Sequence, residues 1–169
     1  MTATILIAGC GKKNGSSVSS ATQPTAQTDA ASSSSPVSQP ALTAWQQGDK
    51  AAAVSSFLAA DWSARPLFAA DSPLNLSESQ FMALSVAERE AKSKDMLAQI
   101  SSLKQMAQAV VQAGHDAVSK GDAAQARKCF TSLKQCGTVL ESPDCMQLVQ
   151  QVGKAFEKMS DTELTKIGQ

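Results

Sequence analysis

The sequence contains no tyrosine, only two tryptophans and five phenylalanines, and a single histidine. So small an aromatic complement, in a chain rich in Ala, Gln, Lys, Leu and Met, disfavours a β-sheet core and favours helix. The fifteen basic and fifteen acidic residues cancel, so the clustered positive charge that nucleic-acid binding needs is missing, and no nucleic-acid partner is expected. No stretch approaches the roughly 20 consecutive apolar residues that span a bilayer. There is no Cys-x-x-Cys, no Gly-rich phosphate loop and no ligand spacing suited to zinc. No cofactor, metal or catalytic residue is therefore expected, and the chain reads as a binding module rather than an enzyme.

A second absence divides the chain. From Gly11 to Pro40 there is no Leu, Ile, Met or aromatic residue, and Ser, Thr, Ala, Gln, Pro and Gly dominate. Such a segment has almost nothing to bury and cannot offset the entropy of ordering its backbone. It is expected to be a disordered tether over 11–40, leaving 41–169 for one helical domain.

In that domain, Ala41, Ala44 and Trp45 share one helical face, and Ala52, Ala53, Phe57 and Ala60 another. Residues 62–76 contain Pro66 and Pro73 and read as an irregular connection. Ser77-x-x-Gln80 and Ser85-x-x-Glu88 have the form of capping boxes. The second opens a long helix over 86–120, with Met96, Ile100, Leu103, Ala107, Val110, Gly114 and Ala117 as a packing seam. Ser101-Ser102 and Gly114 are its expected weak points. Gly121-Asp122 turns the chain into the next helix, with Asp122 as N-cap and Ala126, Phe130, Leu133, Gly137 and Leu140 facing inward. Ser142-Pro143 is expected to end that helix and begin another, with Pro at its first position and an apolar stripe from Cys145 through Leu148, Val149, Val152 and Phe156 to Met159. Ser160-x-x-Glu163 is expected to cap a short final helix.

The candidate reactive residues are the cysteines. Cys136 and Cys145 flank the Ser142-Pro143 reversal and form the candidate disulfide, with free buried thiols as the alternative. Cys129 and Cys136, seven apart on one helix, are too far separated along its axis to pair. A Cys–His catalytic pair involving His115 lacks any supporting local signature. Among the aromatics, most belong in a core. Trp62 and Phe68, in the Pro-interrupted connection, are the candidates for partner binding.

Two resemblances add to this reading. Ile7-Ala8-Gly9-Cys10 resembles the lipobox of bacterial lipoproteins, in which an apolar residue and two small ones precede the Cys that is lipidated. Thr2–Ala8 is short for a signal segment and carries no Lys or Arg, so the genuine start is expected upstream of Met1. The resemblance implies a lipid on Cys10, a membrane anchor, and a periplasm-facing position at the bacterial outer membrane, because Gly11 rather than Asp follows the Cys. A tether of that length has an end-to-end distance of about 30 Å. Separately, Gly48-Asp49-x-x-x-Ala53-x-x-x-Phe57 and Gly121-Asp122-x-x-x-Ala126-x-x-x-Phe130 resemble the turn and second helix of tetratricopeptide (TPR) repeats. Gly114 and Ala60 match that family's small close-packing positions, whereas its first-helix Trp, Leu and Tyr positions are not clearly matched.

The expected fold is all-α: antiparallel helical hairpins, TPR-like or a generic helical bundle, behind the tail. The expected function is that of a lipid-tethered adaptor binding a protein or peptide. The alternative is a structural protein that self-associates through the long helix, and a thiol-dependent enzyme is a distant third.

Overall fold

A computed structural model of the chain describes residues 35–168, and Cys10 with most of the expected tether lies outside them. The described residues are all-α, with six helices and no strand: α1 (Gln39–Gln46), α2 (Lys50–Ala59), α3 (Glu78–Ala83), α4 (Val86–Ser119), α5 (Ala123–Leu140) and α6 (Gln147–Ile167). Helix α1 begins just ahead of the expected boundary, with proline in its first turn, where a missing N–H costs nothing. Ordered packing starts earlier still. The amides of Val37 and Ser38 donate to the carbonyls of Pro66 and Leu67 at 2.9 and 3.0 Å. The buried Ser38 hydroxyl donates to the same Leu67 carbonyl at 2.6 Å.

The α1–α2 and α4–α5 hairpins turn in the same way. Gly48 and Gly121 take φ values of +81° and +74°, which side chains other than glycine adopt only with strain. The following aspartates cap the second helices, with Asp49 accepting from the Ala52 amide and Asp122 from the Gln125 amide, each at 2.9 Å. Ala53, Phe57, Ala126 and Phe130 are fully buried, so each second helix drives an Ala–Phe stripe against its neighbour. Burying a side chain such as Phe contributes roughly 1.5–3 kcal/mol.

The irregular connection is held by its own polar groups. Ser72 accepts from the Leu74 amide and donates to Gln99 of α4 at 2.7 Å, and Asn75 donates to the Ala69 carbonyl at 2.7 Å. Both expected capping boxes form, at Ser77/Gln80 and Ser85/Glu88. Helix α4 then runs unbroken for 34 residues, on the order of 50 Å. Neither Ser101-Ser102 nor Gly114 interrupts it; the Ser102 hydroxyl is satisfied by the Ala98 carbonyl one turn back. Every expected seam residue from Met96 to Ala117 is buried.

Two expectations fail in the last third. Pro143 does not start a helix. Ser142 N–H bonds to the Val139 carbonyl and Cys145 N–H to that of Ser142, closing tight turns that use up the groups a helix would need. Helix α6 starts only at Gln147, with buried Met146 at its N-cap. Cys145 is thus left outside the helix and half-buried, and Leu148 is exposed. Ser160 does not cap a new helix either. Its buried hydroxyl donates back to the Phe156 carbonyl at 2.8 Å, and α6 continues because Leu164 and Ile167 still pack, against Ala117, Ala126 and Phe130.

Helices α5 and α6 meet at two glycines. A Cβ on Gly137 would lie 2.8 Å from the Gly153 carbonyl oxygen, and one on Gly153 would lie 2.6 Å from that of Gly137. The backbones touch there because neither residue has a side chain to hold them apart.

Candidate functional site

Trp62 and Phe68 are core residues. Each is 3% exposed. The Trp62 ring lies 4.7 Å from that of Phe57, and its Nε1 donates to the Phe57 carbonyl at 3.2 Å, closing the end of α2. A buried Trp whose one polar atom is already bonded has little left to offer a ligand. The connection carries enough local hydrogen bonding to fold inward, which its prolines did not suggest.

Two of the open clefts bear on binding. The first, of about 440 Å³, lies where the connection meets the α5–α6 reversal, with Arg65, Pro66, Leu74, Val139 and Cys145 among its walls and Phe68 in its lining. The second, of about 580 Å³, runs between α2, α4 and α5. Val54, Leu58, Ala109 and Ala113 line it, and all four are half-buried, so they are apolar yet accessible. Lys50, Lys128 and Asp116 lie at its polar margin. Asp116 accepts a hydrogen bond from Gln112 at 2.9 Å. Sequence reading missed this cleft. Its signal was a second apolar stripe on α2, Val54 and Leu58, beside the Ala53–Phe57 stripe.

The cysteines do not come together. Cys129, Cys136 and Cys145 are free thiols, so the candidate Cys136–Cys145 pair is not joined. Burial pushes the Cys136 thiol far above its ordinary pKa. Burial also raises Cys129, against the opposing charge of Lys128. It raises Cys145 too, where Arg65 opposes and Asp144 reinforces. A nucleophilic thiol needs the opposite shift. Among the described residues no group of three His, Cys, Asp or Glu side chains is placed to hold a metal ion.

His115, 46% exposed in its side chain, bonds Glu163 of α6 at 2.8 Å. Lys166 pairs with the other Glu163 oxygen at 2.7 Å. The Glu163 carboxyl is held below its ordinary pKa, first by the Lys166 hydrogen bond and then by that of His115, with burial opposing. The ring of His115 also lies 5.9 Å from that of Phe130. These contacts make His115 a strap between α4 and α6. No described helix is long and apolar enough to cross a membrane.

Comparison with protein-family models, with curated proteins and with solved structures finds no match.

Proposed function

We propose that this chain is a bacterial envelope adaptor: a helical domain tethered through a lipid on Cys10 to the outer membrane, facing the periplasm and taking up a protein or peptide segment. The observation that carries the binding role is the α2–α4–α5 cleft, an accessible apolar trough with both signs of charge at its margin. Its size and lining suit an extended or helical segment that docks by shape and apolar contact. The matching turn geometry of the two Gly-Asp hairpins supports a TPR-like organisation. The raised thiols weigh against a cysteine-dependent enzyme.

The binding role is tested by photo-crosslinking in cells. A crosslinker at Ala113, in the cleft, should give a discrete adduct that Leu58→Glu abolishes, while one at Gln151, exposed on α6, should not. Identical adducts from both positions, or none from Ala113, count against it. The address is tested by expression in a bacterial host: Cys10→Ser should lose incorporation of labelled fatty acid, and equal labelling refutes the anchor.

Self-association is the second reading, with a changed surface. The α4 seam is consumed within the domain, but residues 86–95 include none that is buried, and Met82, Val86 and Leu97 are 59%, 73% and 58% exposed. A second copy docking on this unpacked start of α4 would cover them. Sedimentation should then depend on concentration, and Leu97→Glu should remove that dependence.

A further inference from the structure

The glycine crossing of α5 and α6 carries a reciprocal pair of glutamates. Glu141 stands one turn beyond Gly137, and Glu157 one turn beyond Gly153. A Cβ on Gly153 would meet the Glu141 Cγ at 2.9 Å, and one on Gly137 would meet the Glu157 Cγ at 2.9 Å. Each glutamate stem therefore fills the space over the opposite helix's glycine. That arrangement places both carboxyl groups in one surface cleft, where Glu157 acts on the Glu141 carboxyl.

The partners of the two groups differ. Glu157 Oε1 accepts from the Thr138 hydroxyl. Glu141 Oε1 is sealed from solvent without a hydrogen-bond partner, although the residue as a whole is only half-buried. Two ionised carboxylates in this contact would repel, and a buried anionic oxygen without a donor is costly. A carboxyl proton on Glu141, donated to Glu157, removes both penalties. The surrounding charges do not remove the need for it. Lys154, Lys158 and Asp161 of α6 line the same cleft. Lys134 of α5, next to Glu157, is committed to Asp161 at 2.7 Å. Among the described residues neither glutamate has an ion-pair partner.

We propose that the α5–α6 crossing is a proton-dependent clasp, in which Glu141 holds a proton and donates it to Glu157, and loss of that proton at higher pH loosens α6 from α5. The arrangement has a direction. Burial first, and then the hydrogen bond and charge of Glu157, raise the Glu141 pKa, with Lys154 opposing. A carboxyl raised on folding contributes stability that is full below its unfolded pKa and lost as pH rises through its folded value. The clasp is closed on the acid side and opens as pH rises through the raised Glu141 value. Glutamine at position 141 keeps the donor at every pH.

The test compares urea unfolding midpoints of the full chain from pH 4.5 to 8.5 for wild type and Glu141→Gln. The wild-type midpoint should fall as pH rises. The Glu141→Gln midpoint should stay level on that limb, with amide exchange around Gly137 and Gly153 equally protected at both ends. If the variant does not fold, the carboxyl carbon of Glu141 is followed by NMR in the wild type, where it should titrate above the ordinary glutamate range. Parallel midpoint profiles, or an ordinary titration of Glu141, overturn the proposal.

Discussion

In the α1–α2 hairpin, Phe57 is covered by Trp62 from the connection that follows it, with the rings 4.7 Å apart. In the α4–α5 hairpin, Phe130 lies against the backbone of Gly114 on the partner helix and beneath Leu164 and Ile167 of α6. The turns are alike, the aspartate caps are alike, and the Ala–Phe stripes are alike. What differs is where the cover comes from: chain five residues on in one case, a distant helix in the other. A local code can be repeated while the tertiary solution to it is not, because burial of a ring specifies an amount of surface and not its source.

The largest effects should come from removing the rings. Phe57→Ala and Phe130→Ala should each cost about 3–5 kcal/mol in urea unfolding. Phe57→Ala should cost more, since Trp62 also loses its stacking partner. An equal or smaller loss for Phe57→Ala would mean that Trp62 contributes no more than cover.

Next comes the floor beneath Phe130. A Cβ on Gly114 would sit 2.5 Å from Cζ and 2.6 Å from Cε1 of that ring. Gly114→Ala should therefore destabilise by about 1–3 kcal/mol through overpacking, despite alanine's better helix propensity. Combining it with Phe130→Leu should cost less than the two losses added, because the smaller side chain vacates the space. Additive losses would show that the ring does not press on α4. The first hairpin differs here, since the cover of Phe57 is the Trp62 ring and not a helix backbone.

These cases mark what the sequence could tell. The Gly-Asp turns, both N-terminal capping boxes and the α4 seam were legible because each depends on neighbours within about a turn, where spacing determines geometry. Trp62 and Phe68 join the core, as expected of most of the aromatics, but the prolines around them mark irregular backbone and could not show which way the rings turn. The end of the chain was misread for a related reason. Ser142-Pro143 and Ser160-x-x-Glu163 have the form of helix starts, but the backbone contact at Gly137 and Gly153 and the apolar cover over Phe130 set where α6 begins and how far it runs. The α2–α4–α5 cleft, assembled from three helices, had no single-segment signature.

Smaller effects test how alike the turns are. Gly48 and Gly121 would meet nothing within 4 Å if given a Cβ, so alanine at either should cost only the left-handed strain, roughly 1–2 kcal/mol, and the same at both. Asp49→Ala and Asp122→Ala should each lose about 1 kcal/mol, the usual cost of an N-cap, within a few tenths of one another. A marked inequality in either pair would mean that the covers, and not the turns alone, set the strain and the caps.

The smallest expected effect separates the hairpins by acid. Asp61, after α2, is held below its ordinary pKa by bonds from the hydroxyl and then the amide of Ser63, two residues away. Glu163 is held low by Lys166 and by His115, the latter on α4. Both are carboxyls depressed on folding, so both contribute stability that is full above their unfolded pKa and lost as pH falls through the folded value. The Asp61 bonds are exposed and local, and a short turn can keep them when the domain opens. The Glu163 contact with His115 exists only when α6 is docked. Glu163→Gln should therefore flatten the acid limb of the unfolding profile below about pH 4.5, whereas Asp61→Asn should leave that limb nearly unchanged. The reverse result would place the acid-sensitive contact in the first hairpin. The acid limb has the opposite sign to the loss expected from Glu141 at higher pH, so one pH series separates the strap from the clasp on the same helix.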